Sequence, residues 1–189
     1  MKRILLFIII LLPLGFSLYE LFILENVKDP IKYIYTFTGV TATVILFASI
    51  SISLIKRWIN LLKYRRMIGL FGFFYAFLHF LNFYILDAEL DFSFVVKETL
   101  DKPFIYLGML AFFILILMAS TSTKTLFRKY NKYHKLVYFA LILITIHFVM
   151  AQKSLTIVQL IYILLILFIS YFKLLQQIIK NNIPNNITS

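Results

Sequence analysis

The chain has 189 residues, of which 62% are hydrophobic, and its mean hydropathy is +0.93. A soluble domain contains roughly 45–50% apolar residues, so this composition indicates a protein whose solvent is a lipid bilayer. The chain contains no cysteine, which excludes disulfides, iron–sulfur clusters and thiolate chemistry. The formal net charge of +11 comes from basic residues clustered between apolar stretches, a pattern typical of membrane topology rather than of nucleic-acid binding.

Six stretches are apolar enough to form transmembrane helices, each of which needs about 20 mainly apolar residues. They cover approximately residues 4–24, 33–55, 67–86, 103–122, 136–151 and 155–172. Open strands are excluded because unpaired backbone groups in hydrocarbon cost too much free energy. The sequence therefore predicts an all-α membrane protein in which residues 1–189 form a single domain, a bundle of six transmembrane helices.

The first stretch also resembles a signal peptide, because MKRILLFIIILLPLGFS joins a basic start to an apolar run. It lacks an A-x-A-like cleavage site, and its apolar character continues to Leu24. We therefore favour a retained first helix over a cleaved leader.

Basic residues mark one side of the predicted bundle. They precede the first span, separate the second from the third and the fourth from the fifth, and follow the sixth: Lys2, Arg3, Lys56, Arg57, Lys63, Arg65, Arg66, Lys124, Arg128, Lys129, Lys132, Lys135, Lys173 and Lys180. All eight acidic residues lie at or near the other side. The positive-inside rule makes the basic side and both termini cytoplasmic. The third and fifth spans then both run from inside to outside.

Three histidines carry most of the functional signal. His79 lies in the third span, His147 in the fifth span and His134 at the cytoplasmic mouth of the fifth span. An ionisable side chain within a span is costly and is a functional hypothesis by default. A neutral imidazole is also a common axial ligand of haem iron.

Depth decides which histidines can share a ligand. His79 is fourteen residues past Arg65, and His147 is thirteen residues past His134. At 1.5 Å per residue, His79 and His147 both lie about 20 Å above the cytoplasmic ends of their helices. One planar cofactor could therefore bridge these two imidazoles, whereas a pair of His79 and His134 is excluded by a vertical offset of nearly the same size.

Small residues line the helix faces that carry these histidines. On the third span one stripe follows spacings of 4, 3, 4 and 3 through Arg65, Gly69, Gly72, Ala76 and His79. On the fifth span Ala140 and Ala151 share the face of His147. The stripes either leave a flat surface for a macrocycle or let helices pack closely, and both interpretations stay open.

Haem fits this histidine pair better than a bare metal does. Two histidines leave a zinc site short of its usual four ligands, and no carboxylate lies at their depth. Hydrolytic chemistry lacks a Ser/His/Asp set, a glycine-rich phosphate loop and an H-E-x-x-H motif. His134 lies between Lys132 and Lys135, so it is either a third ligand or a solvated residue at the helix end.

Four segments together resemble a known family. They are DPIKYIYTFTG (29–39), RRMIGLFGFFYAFLHFLNFYILD (65–87), DKPFIYLGMLAFFILILMASTST (101–123) and KYHKLVYFALILITIHFV (132–149). They are similar to the MsrQ (YedZ) family, the haem-binding membrane subunits of bacterial protein-methionine-sulfoxide reductase systems, within the wider ferric-reductase-like transmembrane family. The resemblance covers about residues 29–152. It departs at SISLIKRW (51–58), where the family has a Thr-Pro pair.

The resemblance implies that the haem ligands are His79, His134 and His147. In the wider family, the third and fifth helices each carry two histidines and hold two stacked haems. Here Arg65 occupies the inner position on the third span. The resemblance thus implies an outer haem b on His79 and His147, and leaves a second, inner haem on His134 open.

The resemblance also implies a route for electrons across the bacterial inner membrane. A cytoplasmic flavin reductase or quinol would supply them, with FMN as a further cofactor, and a periplasmic molybdenum enzyme of the MsrP type would use them to reduce methionine sulfoxide. Such repair outside the cytoplasm requires reductant from across the membrane. The chain would then be the redox subunit of an oxidoreductase complex, an electron carrier without catalytic residues of its own.

Several basic residues are candidates for binding the anionic groups of these cofactors. Arg65, Arg66 and Lys135 would bind inner haem propionates or the FMN phosphate, and Lys102 and Lys153 would bind outer propionates. Membrane topology alone explains all five equally well. The acidic stretch 87–101 is expected to be a solvated outer loop that could also contact a partner.

Two other functions compete with this interpretation. The first is a ferric reductase or another quinol-oxidising cytochrome b. The second is a small membrane transporter or scaffold without haem, although neither broken helices nor internal repeats, which are typical of transporters, are visible.

Overall fold

The computed structural model describes residues 2–25, 27–55 and 61–151, together with residues 157, 160, 161, 163–168, 171 and 175. Its α-helices are α1 (Lys2–Phe22), α2 (Pro30–Ile55), α3 (Leu62–Asn82), α4 (Phe92–Asp101), α5 (Pro103–Ser120), α6 (Lys124–Tyr130) and α7 (Leu136–Ala151). No strand occurs among the described residues. The predicted all-α fold is therefore confirmed for this part of the chain.

Among the described residues, five helical stretches are long and apolar enough to cross a membrane: Arg3–Phe22, Pro30–Ile52, Leu62–Asp87, Pro103–Ser120 and Lys124–Ala151. They correspond to the first five predicted spans and indicate a multi-pass membrane protein. The sixth predicted span, 155–172, is described only in part: residues 157, 160, 161, 163–168 and 171 are helical. The count of six helices and the location of the termini therefore stay predictions.

Two helix pairs form the centre of the bundle. α2 packs along α3, and α5 packs along α7. Both pairs are antiparallel, because contacts run from Tyr35–His79 to Ser49–Arg65 in the first pair and from Phe104–His147 to Thr121–His134 in the second. Between the pairs lies a core made of Leu46, Ala111, Ile114, Leu115, Ala140 and Leu143.

The first helix is attached to the bundle through a buried tyrosine. Tyr75 on α3 is fully buried, and its hydroxyl donates a hydrogen bond of 2.8 Å to the backbone oxygen of Ile10 on α1. Apolar contacts around Ile10, Ala42 and Tyr75 join α1, α2 and α3. Many apolar side chains on the outside of the helices remain exposed, as expected for surfaces that face lipid.

The acidic stretch 87–101 is not the loop that we expected. α3 continues as a π-helical turn from Phe83 to Asp87, and the chain reverses at Glu89 and Leu90, which have φ of 48° and 69°. Residues 92–101 then form α4. Its N-cap is Asp91, whose carboxylate accepts hydrogen bonds from the amide and hydroxyl groups of Ser93. The hydrogen bond from the Ser93 hydroxyl, together with that from its amide, lowers the pKa of this carboxyl below its usual range.

The expectation of a simple solvated loop was wrong, because residues 92–101 form a helix that exposes apolar side chains. Phe92, Val96 and Leu100 follow one another at intervals of four residues, and Phe92 and Leu100 are 71% and 73% exposed. Val95, on another face of the helix, is buried. A short helix with such a stripe, placed between two membrane spans, is suited to the membrane–water boundary.

Glu20 and Asp87 lie at one end of the bundle, and Arg65 lies at the other. At one end, Tyr33 and Tyr35 of α2 donate hydrogen bonds of 2.5 Å and 2.7 Å to Glu20 and Asp87. At the other end, Arg65 and His134 line a common cavity. This separation agrees with the charge pattern on which the predicted orientation rests, while Lys56, Arg57, Lys173 and Lys180 lie outside the described residues.

Candidate haem site

The structure brings His79 of α3 and His147 of α7 together. Their ring centres are 6.3 Å apart, and the ring planes are inclined at 82°. The two rings meet where the α2–α3 pair faces the α5–α7 pair. The two rings thus lie at the same level in the bundle, as helix geometry predicted. Their role as ligands stays a prediction.

Hydrogen bonds determine which nitrogen of His79 carries the proton. Nδ1 lies 3.2 Å from the backbone oxygen of Tyr35 and 3.3 Å from Oγ1 of Thr38. The Thr38 hydroxyl donates its own proton to the backbone oxygen of Ile34, at 2.7 Å. Both neighbours of Nδ1 therefore act as acceptors, so Nδ1 is protonated and Nε2 carries the lone pair.

His147 has the same tautomer for a simpler reason. Its Nδ1 lies 2.6 Å from the backbone oxygen of Phe104 on α5. A carbonyl oxygen only accepts, so Nδ1 donates and Nε2 again carries the lone pair. A metal-binding histidine typically donates its other ring N–H in this way, which fixes its orientation and raises its basicity.

Each imidazole rests against a glycine on the neighbouring helix of its own pair. A Cβ atom at Gly39 on α2 would lie 3.0 Å from Cε1 of His79, and one at Gly108 on α5 would lie 2.9 Å from Cε1 of His147. Any side chain at either position would crowd the ring. Sequence reasoning missed both glycines, although each is an isolated glycine within an apolar span.

At Gly72 the structure distinguishes between the two interpretations that were left open for the small stripe on α3. A Cβ atom at Gly72 would lie 2.7 Å from the Leu46 side chain, and one at Gly69 would lie 3.3 Å from Ser49 Oγ. Both glycines therefore face α2. At Gly72 the expectation of a flat surface open to a macrocycle is wrong, and the alternative of close helix packing is confirmed.

The geometry of the two histidines fits a shared metal within a planar cofactor. Two imidazoles bound to opposite faces of one metal through bonds of about 2 Å would have ring centres roughly 6 Å apart. The observed separation of 6.3 Å agrees. Among the described residues no group of three or more His, Cys, Asp or Glu side chains could hold a metal ion. The protein thus offers two nitrogen ligands here, as a bis-histidine haem requires.

A cavity of about 540 Å³ lies at the basic end of the bundle. It brings together four of the predicted site residues, Arg65, Arg66, His134 and Lys135, and its other lining residues are apolar or uncharged. Ligand pockets typically have this size, an apolar lining and a few polar groups. The cavity suits an anionic ligand with an apolar body, because no acidic side chain is among the described residues that line it.

His134 already forms a hydrogen bond within this cavity. Its Nε2 lies 3.1 Å from Oγ1 of Thr121, and the Thr121 hydroxyl is 2.6 Å from the backbone oxygen of Leu117, to which it donates. Nε2 of His134 is therefore the donor to Thr121, and the lone pair is on Nδ1. The ring also packs edge-on against Phe127, with ring centres 4.7 Å apart. The lone pair of His134 is therefore on Nδ1, whereas the lone pairs of His79 and His147 are on Nε2.

Aromatic rings separate the two sites. Phe73 lines the cavity and stacks on Phe112 of α5, with ring centres 6.1 Å apart. Phe80, next to His79 in sequence, also stacks on Phe112, with ring centres 4.9 Å apart, and neither His79 nor His147 is among the described residues that line the cavity. The histidine pair and the basic cavity are therefore two distinct places within one bundle.

Of the two lysines predicted to bind outer propionates, the structure describes only Lys102. Lys102, the residue before α5, forms an ion pair with Glu98 of α4, four residues earlier. An outer propionate would have to compete with this carboxylate. Lys153 lies outside the described residues.

Comparisons with known proteins agree with this architecture. The family model of the ferric reductase like transmembrane component matches residues 51–149. Proteins named protein-methionine-sulfoxide reductase heme-binding subunit MsrQ are similar to the chain: the one from Brucella ovis is 35% identical and the one from Brucella anthropi is 36% identical, each over 132 residues. These alignments cover 67% of this chain and 60% of each relative. No solved structure matches the chain. The family resemblance inferred from the sequence is confirmed.

Proposed function

We propose, from the premise that the chain belongs to the ferric-reductase-like transmembrane component family, that it is a b-type haem subunit that transfers electrons across a membrane. The observation that carries this proposal is the pair formed by His79 and His147, with ring centres 6.3 Å apart and both Nδ1 atoms donating to oxygen atoms. Both Nε2 lone pairs remain for an iron between them.

The residues of the chain hold the haem and restrict its chemistry. When bound, a haem supplies one-electron transfer through a change in iron valence. Ligation by both His79 and His147 would leave no open coordination position, which favours electron transfer over reactions at the iron. Gly39 and Gly108 allow the imidazoles to lie close to the backbones of α2 and α5, so the ligands need little space.

We infer the electron acceptor from the names of the relatives, which describe heme-binding subunits of a protein-methionine-sulfoxide reductase. The proposed acceptor is a periplasmic, molybdenum-containing reductase of the MsrP type, and the proposed location is the bacterial inner membrane. The histidine pair lies toward the acidic end of the bundle, near Asp87 and Tyr35, which the charge pattern assigns to the outside. An outer haem would therefore lie on the acceptor's side.

We further propose that the basic cavity binds the cofactor that receives electrons on the inner side. Arg65, Arg66 and Lys135 would bind either the propionates of an inner haem or the phosphate of FMN, because charge-assisted bonds to such anions are strong. His134 would contact the same cofactor. The electrons would come from a cytoplasmic flavin reductase or from quinol.

The visible spectrum of the purified full chain in detergent tests the haem proposal. We expect a Soret band and a reduced-minus-oxidised spectrum typical of a low-spin b-type haem. A colourless protein that takes up no added haem would overturn the proposal and support a transporter or scaffold.

The choice of acceptor requires a separate experiment. The chemically reduced chain should be reoxidised by an MsrP-type reductase supplied with methionine sulfoxide, and much more slowly by a ferric chelate. Faster oxidation by the ferric chelate would instead support the ferric-reductase alternative, for which the family match is the favouring observation.

A further inference from the structure

Thr38 on α2 makes an unusual set of contacts beside His79. The residue is only 4% exposed. Its Oγ1 atom lies 2.7 Å from the backbone oxygen of Ile34, 3.1 Å from Nδ2 of Asn82 and 3.3 Å from Nδ1 of His79. A single buried hydroxyl thus joins the backbone of its own helix to two polar side chains of α3.

The hydrogen-bonding capacity of Thr38 is fully used by these contacts. A hydroxyl has one proton to donate and two lone pairs that accept. The proton goes to Ile34, and the lone pairs accept from the Asn82 amide and from the Nδ1–H group of His79. Asn82 lies three residues after His79, on the same side of α3. It therefore holds the hydroxyl in place from the helix that also carries the histidine.

The two histidines of the candidate haem site differ in the groups that accept the hydrogen bond from Nδ1–H. His147 donates only to a backbone oxygen, that of Phe104. His79 donates to the backbone oxygen of Tyr35 and also to a side chain, Thr38. The electron density on Nε2 of His79 can therefore be changed by a single substitution that leaves the backbone intact, which is not so for His147.

We propose that Thr38, held by Asn82, is a positioning residue that raises the basicity of the Nε2 atom of His79 and thereby lowers the reduction potential of the bound haem. This inference rests on the proposed haem function. The physical reason is that a hydrogen bond from the distal N–H of a ligating imidazole makes the ligand a stronger electron donor, and a stronger donor stabilises the ferric iron.

The test uses Thr38→Val, which keeps the shape of the side chain and removes the hydroxyl. We expect the variant to bind haem with a low-spin spectrum. At a fixed solution potential, its ratio of ferrous to ferric haem should rise about tenfold, equivalent to about 59 mV for a one-electron couple. Thr38→Ser retains a hydroxyl and should restore the ratio of the unmodified chain.

Thr43→Val is the matched control. Thr43 lies on the same helix, is 8% exposed, and donates a hydrogen bond of 2.7 Å to the backbone oxygen of Gly39 within α2. Its replacement also removes a buried hydroxyl but touches neither histidine. We expect no change in the ferrous-to-ferric ratio. Equal shifts in Thr38→Val and Thr43→Val, or no shift in Thr38→Val, would overturn the inference.

A second variant covers the case in which Thr38→Val loses its haem altogether. Asn82→Leu leaves the hydroxyl in place but removes the donor that orients it, so the ferrous-to-ferric ratio should rise in the same direction and by a smaller factor. An unchanged ratio in Asn82→Leu would then contradict the inference. The haem function itself fails only if the unmodified chain binds no haem, so the two failures are distinguishable.

Discussion

Gly108 on α5 lies directly against the ring of His147 on α7, so that a Cβ atom at position 108 would stand 2.9 Å from both Cε1 and Nδ1 of the imidazole. The same relationship joins Gly39 to His79, with a distance of 3.0 Å to Cε1. Each histidine is therefore held between a glycine and a backbone oxygen of the neighbouring helix. The positions of both imidazoles depend on how α2 and α5 pack, as well as on α3 and α7.

Gly108→Ala should displace the His147 imidazole. The added methyl group occupies the space of the ring, which is anchored by the bond of 2.6 Å from its Nδ1 to Phe104. We expect haem occupancy to fall about tenfold, as for other changes that disturb ligand orientation. The haem-to-protein ratio of purified protein measures this effect.

Gly15→Ala provides the control for that substitution. Gly15 lies in α1, and a Cβ atom there would have no heavy atom within 4 Å. Its haem content should equal that of the unmodified chain. An undiminished haem content in Gly108→Ala would show that the ring and the glycine are not in the contact described.

Gly72→Ala should weaken the bundle without acting on the haem ligands directly. A Cβ atom at position 72 would lie 2.7 Å from the Leu46 side chain and 3.2 Å from the Leu46 backbone nitrogen. Overpacking of this kind typically lowers the free energy of unfolding by about 1–3 kcal/mol. Thermal unfolding in detergent should therefore occur at a lower temperature.

The double variant Gly72→Ala with Leu46→Ala separates this effect from a general intolerance of alanine. Leu46→Ala alone also destabilises the core, by about 2–5 kcal/mol, but it makes room for the new methyl group. The double variant should therefore lose less stability than the sum of the two single variants. If the two changes add without any compensation, the close approach of α2 and α3 at this point is not the cause.

His134→Ala tests the basic cavity. If a cofactor lies beside Arg65 and His134, this substitution should release it while the spectrum of the haem on His79 and His147 persists. Cofactors are extracted and quantified from the purified variant. Loss of haem indicates an inner haem, loss of FMN indicates a flavin site, and retention of both would leave His134 as a helix-end residue bonded to Thr121.

The orientation of the bundle predicts that α4 is outside the cell's cytoplasm. A cysteine introduced at Ser93, which is exposed at the start of α4, should react with a membrane-impermeant reagent in intact cells. A cysteine at Lys129, exposed on α6, should react only after lysis. The opposite pattern would reverse the topology inferred from charge.

The helical repeat was sufficient to place His79 and His147 at one level, because depth along a straight helix depends only on residue count. It could not identify Thr38 or Gly39, because their contacts with His79 depend on which helix packs beside α3 and at what register. The same limit explains Gly72, whose partner Leu46 lies on α2.

The sequence of α4 itself has the pattern of a helix. The spacing of Phe92, Val96 and Leu100 is that of one helix face, and Asp91 precedes it as a suitable N-cap. The concentration of acidic residues between 87 and 101 favoured a loop instead. In a short segment between two spans, the apolar repeat proved the better guide.

The most direct test of the account is the haem content of two single variants, His79→Ala and His147→Ala, purified beside the unmodified chain and Thr43→Val. Because the two ring centres lie 6.3 Å apart, each substitution should abolish the same low-spin bis-histidine spectrum, and the double variant should lose no more of that haem than either single variant. If that spectrum survives in either single variant, the two histidines do not share a haem.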